Sequence, residues 1–126
     1  MPVSIAAKKA AALVIAAIPG LEANPQFVYE DINTLAHVWP NEKDFLAAIN
    51  STKKAAELLL SGSVDTASLS YQLEGWSVFH YQQKRGQGQP ANMRIVFRKE
   101  GGKLKVLAFG HRNLPNSVYF SASGRL

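Results

Sequence analysis

The chain has 126 residues and contains no cysteine. Disulfide bonds and thiolate metal sites are therefore excluded, and a chain without cysteine fits a reducing compartment. We accordingly expect a cytoplasmic protein.

Long apolar runs are also missing. An alanine-rich apolar stretch opens the chain over residues 5–18, with Lys8 and Lys9 near its start. After these lysines only nine apolar residues precede Pro19, whereas a membrane-spanning helix needs about 20. We expect an amphipathic first helix rather than a signal sequence, and no contact with a membrane.

Acidic residues are scarce in the second half. Residues 76–126 hold nine Lys and Arg against Glu100 alone, a net charge of +8. Residues 1–75 hold five Lys against eight Asp and Glu, a net charge of −3. Because basic side chains neutralise phosphates and release their counter-ions, this imbalance predicts a polyanionic partner.

The lack of cysteine and the scarcity of acidic residues in the second half exclude several kinds of functional site. With few carboxylates in the second half and no thiolates, we expect neither a metal nor a cofactor. The glycines fit neither a phosphate-binding loop nor a dinucleotide fingerprint, and no nucleophile elbow is present. These exclusions leave an arginine-rich site without a metal.

The first part of the expected single domain, residues 1–62 of 1–126, is typical of a helical scaffold. Helices are predicted over residues 4–18 and 26–38, and a third is predicted between Asn41, a good N-cap, and Gly62. The buried stripe predicted for the third helix is Phe45, Leu46, Ile49, Ala56, Leu59 and Leu60.

Residues 70–121 are predicted to form an antiparallel sheet that bears the site. Strands are expected over residues 76–83, 93–99, 104–109 and 117–120, and Gly101-Gly102 suits a hairpin turn. Alternation directs Ile95 and Phe97 to the core and leaves Arg94 and Arg98 on the opposite face. The expected fold class is α+β, with the helices packed on one face of the sheet.

Four motifs recur here in a fixed order: Arg94-Ile95-Val96-Phe97, a turn over residues 100–103, Gly110-His111-Arg112 and Val118-Tyr119. In order and spacing, residues 76–119 resemble the C-terminal half of the RelE/ParE toxin superfamily. The resemblance implies a RelE-like fold, in which N-terminal helices pack on one face of a C-terminal antiparallel sheet.

The resemblance also implies an activity. Members of the RelE branch are toxins of type II toxin–antitoxin systems that cleave messenger RNA, many of them only on the ribosome. Arg94 and Arg112 match the arginines that stabilise the scissile phosphate, and Tyr119 matches the tyrosine that activates the 2′-hydroxyl or orients the phosphate. An attacking 2′-hydroxyl belongs to the substrate, so such an endoribonuclease needs positioning, charge stabilisation and proton transfer, but no metal.

The chain departs from this family on the strand after Trp76, where active members often carry basic residues. His80, Lys84 and Arg85 are the candidates to replace them. His80 titrates near neutrality and is a candidate catalytic acid or base. The predicted RNA-contacting residues are Lys84, Arg85, Arg98 and His111.

The partners implied by the resemblance are RNA and a small acidic antitoxin protein over the basic face. Three alternatives stay open. They are a ParE-like gyrase inhibitor without nuclease activity, an effector toxin domain that cuts transfer RNA, and a binding module with a degenerate site.

Overall fold

The computed structural model describes residues 2–62 and 64–126. This part of the chain contains four α-helices, five strands and one 3₁₀ turn, so the predicted α+β class is confirmed. The helices are α1 (Ile5–Ala16), α2 (Pro25–Val38), α3 (Glu42–Ser61) and α4 (Val118–Ser123). The strands are β1 (Leu21–Ala23), β2 (Ala67–Ser68), β3 (Ser77–Tyr81), β4 (Met93–Glu100) and β5 (Lys103–His111), and the 3₁₀ turn is Tyr71–Leu73.

The three N-terminal helices begin at polar caps. The side chain of Ser4 accepts a hydrogen bond from the N–H of Ala7 at 3.0 Å, and Asn24 caps α2 with proline in its first turn. Asn41 accepts from Lys43 at 2.9 Å, and Gly62 ends α3 in the left-handed conformation at φ 75°. The predicted positions of these helices are confirmed to within two or three residues.

The stripe predicted on α3 is confirmed except at its edge. Phe45, Ile49, Ala56 and Leu59 are buried, whereas Leu46 is 44% exposed. At 100° per residue, the buried residues of α3 span an arc from Ala55 through Phe45 to Ile49, and Leu46 lies about 60° beyond Ile49, outside this arc. Leu60 is only partly buried.

The sheet is mixed, with strand order β1-β5-β4-β3-β2. Strands β3, β4 and β5 pair antiparallel, as predicted from their hairpins. The prediction of an entirely antiparallel sheet is wrong, because β1 pairs parallel with β5. No hairpin dictates the direction of β1, which is separated from β5 by two helices and most of the sheet. Both β1 and the two-residue β2 are missing from the predicted strands.

One hydrophobic core lies between the sheet and the N-terminal helices. It combines buried residues of α1, α2 and α3 with residues on one face of β4 and β5. Ile95 and Phe97 belong to it, as their alternation predicts. We call this side of the sheet the helix side.

A second core occupies the reverse side. Its buried members are Leu73, Val96, Leu107, Ala108, Val118 and Ala122. The strand predicted over residues 117–120 is wrong, because this segment opens α4. Val118 and Ala122, four residues apart, fall on the same helical face and both become buried, whereas Phe120 is 70% exposed. α4 therefore covers the middle of the reverse side, and the helices do not all lie on one face.

No helix within residues 2–62 and 64–126 combines the length and the apolar character needed to cross a membrane.

Candidate functional site

Three strands bring basic residues to one end of the sheet. In an antiparallel sheet, the ends of β3 and β5 lie beside the start of β4. Arg94 is therefore paired with His80 on β3 and with Gly110 on β5, and His111 is paired with the preceding residue, Met93. Arg112 directly follows β5. We call His80, Arg94, His111 and Arg112 the strand-end cluster.

Arg94 is held at the start of β4 by its own neighbours. Its Nη1 donates hydrogen bonds to the carbonyl oxygens of Ala91 and Met93, the latter at 2.9 Å. A guanidinium has five N–H donors in a planar fork. The bonds to Ala91 and Met93 involve one nitrogen, so the other nitrogens keep donors for an anion.

Gly110 is paired with Arg94 and leaves a small gap on the reverse side of β5. A Cβ atom at Gly110 would have no heavy atom within 4 Å, apart from those of its chain neighbours. On the reverse side of this register pair, the only side chain is therefore that of Arg94.

Asn92 fixes Arg112 relative to β3 and β4. The backbone N–H of Arg112 donates to the carbonyl oxygen of Asn92 at 2.9 Å. The side-chain oxygen of Asn92 accepts from the N–H of Gln83 at 3.0 Å. Asn92 therefore joins the ends of all three strands, while the side chain of Arg112 stays exposed.

His111 is arranged as a hydrogen-bond donor. Its Nδ1 accepts bonds from the N–H groups of Asn113 and Leu114, both at 3.1 Å. In the neutral ring the proton therefore resides on Nε2. Burial lowers the pKa of His111, and the positive charges of Arg112 and Arg94 lower it further. A neutral His111 can donate from Nε2 but has no free nitrogen to accept a proton.

The ring of His111 also packs against an aromatic residue. Its centroid lies 5.6 Å from that of Trp39, with the planes tilted by 56°. Trp39 follows α2, so a helix-side residue supports one member of the strand-end cluster.

His80, unlike His111, can accept a proton. It is exposed, and its pKa is lowered by partial burial and then by the charge of Arg94. Its ordinary pKa of 6.5 is already below neutrality, so His80 is mostly uncharged at neutral pH and can accept a proton.

The charge excess of the second half is partly neutralised within the chain. Ion pairs join Lys84 to Asp44 at 2.6 Å, Arg98 to Glu100 at 2.9 Å, Lys103 to Glu22 at 3.1 Å, Lys105 to Glu100 at 3.4 Å and Arg125 to Asp31 at 2.8 Å. Within the described residues, Arg85, Arg94, Lys99 and Arg112 have no acidic partner. Three of these four arise near the ends of β3, β4 and β5, so the unpaired charge is concentrated there.

Arg98, predicted to contact RNA, is not brought to the strand-end cluster. It lies four residues along β4 from Arg94, roughly 13 Å at the usual rise of a strand. Its guanidinium stacks over the ring of Trp76, 4.6 Å from the centroid, and pairs with Glu100. Lys84 lies nearer to the strand ends but is engaged with Asp44.

Tyr119 lies in the first turn of α4 and packs, partly buried, against the reverse-side core. Its hydroxyl makes no hydrogen bond within the described part of the chain. The role predicted for Tyr119 in catalysis stays a prediction. Tyr119 would have to act from α4 rather than from a strand.

The sequence did not point to Trp39, Asn92 or Gly110 as parts of this site. Gly110 could have been predicted, since it is the first residue of the Gly110-His111-Arg112 motif. Trp39 and Asn92 could not, because Trp39 contacts His111 and Asn92 contacts Arg112, and each of these partners is distant in the sequence.

No group of three or more His, Asp or Glu in residues 2–62 and 64–126 is placed to hold a metal ion. The chain matches no protein-family model, no curated protein and no solved structure.

Proposed function

We propose that the protein is an endoribonuclease that needs no metal and binds the scissile phosphate of RNA at the strand-end cluster. One observation supports this above the others. Arg94 is paired with His80 on β3 and with Gly110 on β5, so a permanent cation adjoins a histidine that can accept a proton. Arg112 adds a second permanent cation beside the gap at Gly110.

These groups suit the transesterification of RNA. The 2′-oxygen attacks the adjacent phosphorus and its proton passes to His80, while the bond from phosphorus to the 5′-oxygen breaks. The departing 5′-oxygen takes a proton from water. Arg94 and Arg112 stabilise the non-bridging oxygens, on which negative charge grows. The products are a 2′,3′-cyclic phosphate and a 5′-hydroxyl end.

The biological setting that we propose is a type II toxin–antitoxin system. Its support is the order of the Arg94, Gly110-His111-Arg112 and Val118-Tyr119 motifs, which resembles that of RelE-like toxins. We include in this proposal that the N-terminal helices pack on the sheet as they do in RelE-like toxins. The partner would be a small acidic protein that covers the unpaired arginines.

The test is cleavage by the purified protein in EDTA, with and without ribosomes, followed by identification of the RNA ends. We expect cyclic phosphate or 3′-phosphate ends. An Arg94→Gln/Arg112→Gln double variant, purified in the same way, controls for contaminating nucleases. Intact RNA under both conditions, or cleavage equal to that of the double variant, would contradict the proposal. Growth inhibition with intact RNA and inhibited gyrase would favour the ParE-like alternative.

A further inference from the structure

A groove of about 460 Å³ runs between α3 and the outer edge of β3. Apolar side chains and two cations contribute to its lining. Those that matter here are Lys54, Ala55, Leu58, Phe79, Tyr81 and Arg85.

The groove exists because β2 is so short. β2 pairs with β3 only at Ser77 and Val78, and within the described residues no strand flanks the rest of β3 on that side. α3 runs alongside instead. The hydroxyls of Thr52 and Tyr81 lie 2.8 Å apart, and Ser51 donates to the carbonyl oxygen of Gln83 at 2.6 Å. These bonds fix the two walls relative to each other.

The walls are apolar and aromatic, and the rim is cationic. The rings of Phe79 and Tyr81 are nearly parallel, at 11°, with centroids 6.1 Å apart. Lys54 and Arg85 have no acidic partner within residues 2–62 and 64–126. Glu57, which also lines the groove, is engaged with Lys53 at 3.9 Å. The groove therefore combines an apolar interior with available positive charge.

β3 separates this groove from the strand-end cluster. Phe79 and Tyr81 lie on the helix side, and His80 between them is paired with Arg94 on the reverse side. Because the edge of β3 is free here, an RNA strand that passes around this edge can contact both places.

We propose that the groove holds the base of a nucleotide next to the scissile phosphate, while Lys54 and Arg85 contact a flanking phosphate. This inference rests on the proposed function. The volume lies within the range of small-molecule pockets, and bases are commonly held against aromatic and apolar side chains. An added peptide strand fits less well, because the free edge of β3 offers only Phe79–Tyr81, whereas strands usually have about five or six residues.

The first experiment is an NMR titration of the full chain with the 3′-monophosphates of the four ribonucleosides. Ribose 5-phosphate, which has the phosphate without a base, is the control. We expect at least one nucleotide to shift the amide signals of Ala55 and Leu58, and ribose 5-phosphate to shift only signals of the strand-end cluster. Nucleotides that leave the α3 signals in place would overturn the inference.

The second experiment uses two matched substitutions on α3. Leu58 and Leu46 are 43% and 44% exposed, but only Leu58 lines the groove. We expect Leu58→Glu to raise the KM for RNA cleavage about tenfold or more, the scale of losing one stacked base, with little change in kcat. Leu46→Glu should behave as the unchanged protein.

The outcomes separate this inference from the proposed function. RNA cleavage that is equal in the unchanged protein, Leu58→Glu and Leu46→Glu would overturn the groove site alone. Nucleotide shifts at Ala55 and Leu58 without RNA cleavage would support the groove as a nucleotide site and contradict the nuclease. Binding of hexaglutamate that is lost in Leu58→Glu, with nucleotides silent, would overturn the inference in favour of an acidic peptide.

Discussion

Arg125 and Asp31 form a two-pronged ion pair between the C-terminal end of the chain and α2. Nη1 of Arg125 lies 2.8 Å from Oδ2 of Asp31, and Nη2 lies 2.8 Å from Oδ1. Their side chains are only 8% and 7% exposed. Both side chains are therefore largely removed from water, and the charged form of each is stabilised by the other.

The pair completes the sheet where β1 stops. β1 pairs with β5 only over Leu104, Lys105 and Val106, so the following backbone groups lack a neighbouring strand. Asp31 accepts the N–H of Phe109 at 3.0 Å, and Arg125 donates to the carbonyl oxygen of Leu107 at 3.0 Å. Two side chains thus replace the missing strand.

Removing one partner should be costly. Burial raises the pKa of Asp31, while the hydrogen bonds and charge of Arg125 oppose that rise. For Arg125→Met we expect a loss of about 3–5 kcal/mol in the free energy of unfolding at neutral pH, because a buried carboxylate is left unpaired. The folded variant then binds a proton more tightly than the unfolded chain does. Its stability should therefore increase as the pH falls from neutrality toward the pKa of Asp31 in the unfolded chain.

Urea unfolding at several pH values measures both effects. Asp31→Asn in the Arg125→Met background is the control, since the amide oxygen can still accept from Phe109 without a buried charge. It should recover part of the lost stability and remove the new pH dependence. Equal midpoints for Arg125→Met and the unchanged protein would contradict the structural role of the pair.

The two unpaired arginines of the strand-end cluster should dominate RNA cleavage. Arg94→Ala or Arg112→Ala removes a donor aimed at the phosphate, and we expect a rate loss of roughly 10²–10³. Arg98→Ala is the matched control, because Arg98 lies on the same strand and face as Arg94 but stacks on Trp76. Single-turnover cleavage at matched folded concentrations is the measurement. A greater loss for Arg98→Ala than for Arg94→Ala would refute this assignment.

The gap at Gly110 offers a steric test of the same site. Gly110 does not have a positive φ, and a Cβ atom there would meet no heavy atom within 4 Å beyond its chain neighbours, so Gly110→Ala should fold normally. The added methyl group would occupy the gap opposite Arg94 and should weaken RNA binding and cleavage. Thermal unfolding checks the fold, and titration with single-stranded RNA checks binding. Full binding by a stably folded Gly110→Ala would show that the ligand does not use this gap.

The dependence of cleavage on pH should report His80. Because its pKa is lowered below 6.5 by burial and by Arg94, the required neutral form dominates above that value. We expect the rate to rise with pH through the pKa of His80 and then to level off near neutrality. In Arg94→Gln the residual rate should rise at a higher pH, since the repelling charge is gone. If the cleavage rate inflects at the same pH in the two proteins, Arg94 does not affect the pKa of His80.

The sequence predicted the elements that local chemistry controls. Asn41 and Gly62 mark the two ends of α3, and Gly101-Gly102 joins β4 to β5, as expected for a cap, a left-handed stop and a hairpin. Alternation alone placed Arg94 on the face opposite Ile95. Each of these features depends on residues close together in the sequence.

Features that depend on distant partners were missed or mistaken. Val118-Tyr119 has the composition of a strand, yet burial of Val118 and Ala122 on the reverse side favours a helix. β1 has only three residues and gains its partner from the far end of the chain. The large basic charge predicted for the second half was real, but ion pairs with both halves leave only part of it available.

The dependence of RNA binding on salt should reveal how much of that charge remains available. Lys54, Arg85, Arg94 and Arg112 are the unpaired cations near the candidate site, and each phosphate contact on a single strand contributes a slope of about −0.7 to log K against log salt. We therefore expect a slope of about −3, whereas contact by Lys54 and all nine cations of the second half would give about −7. Arg112→Gln should reduce the slope by about one contact, because it removes one of the four unpaired charges. Lys103→Gln should leave the slope unchanged, because Lys103 is engaged with Glu22 at 3.1 Å. Fluorescence anisotropy with a short single-stranded RNA measures the slope, and equal effects of the two substitutions would place the phosphate contacts elsewhere on the basic surface.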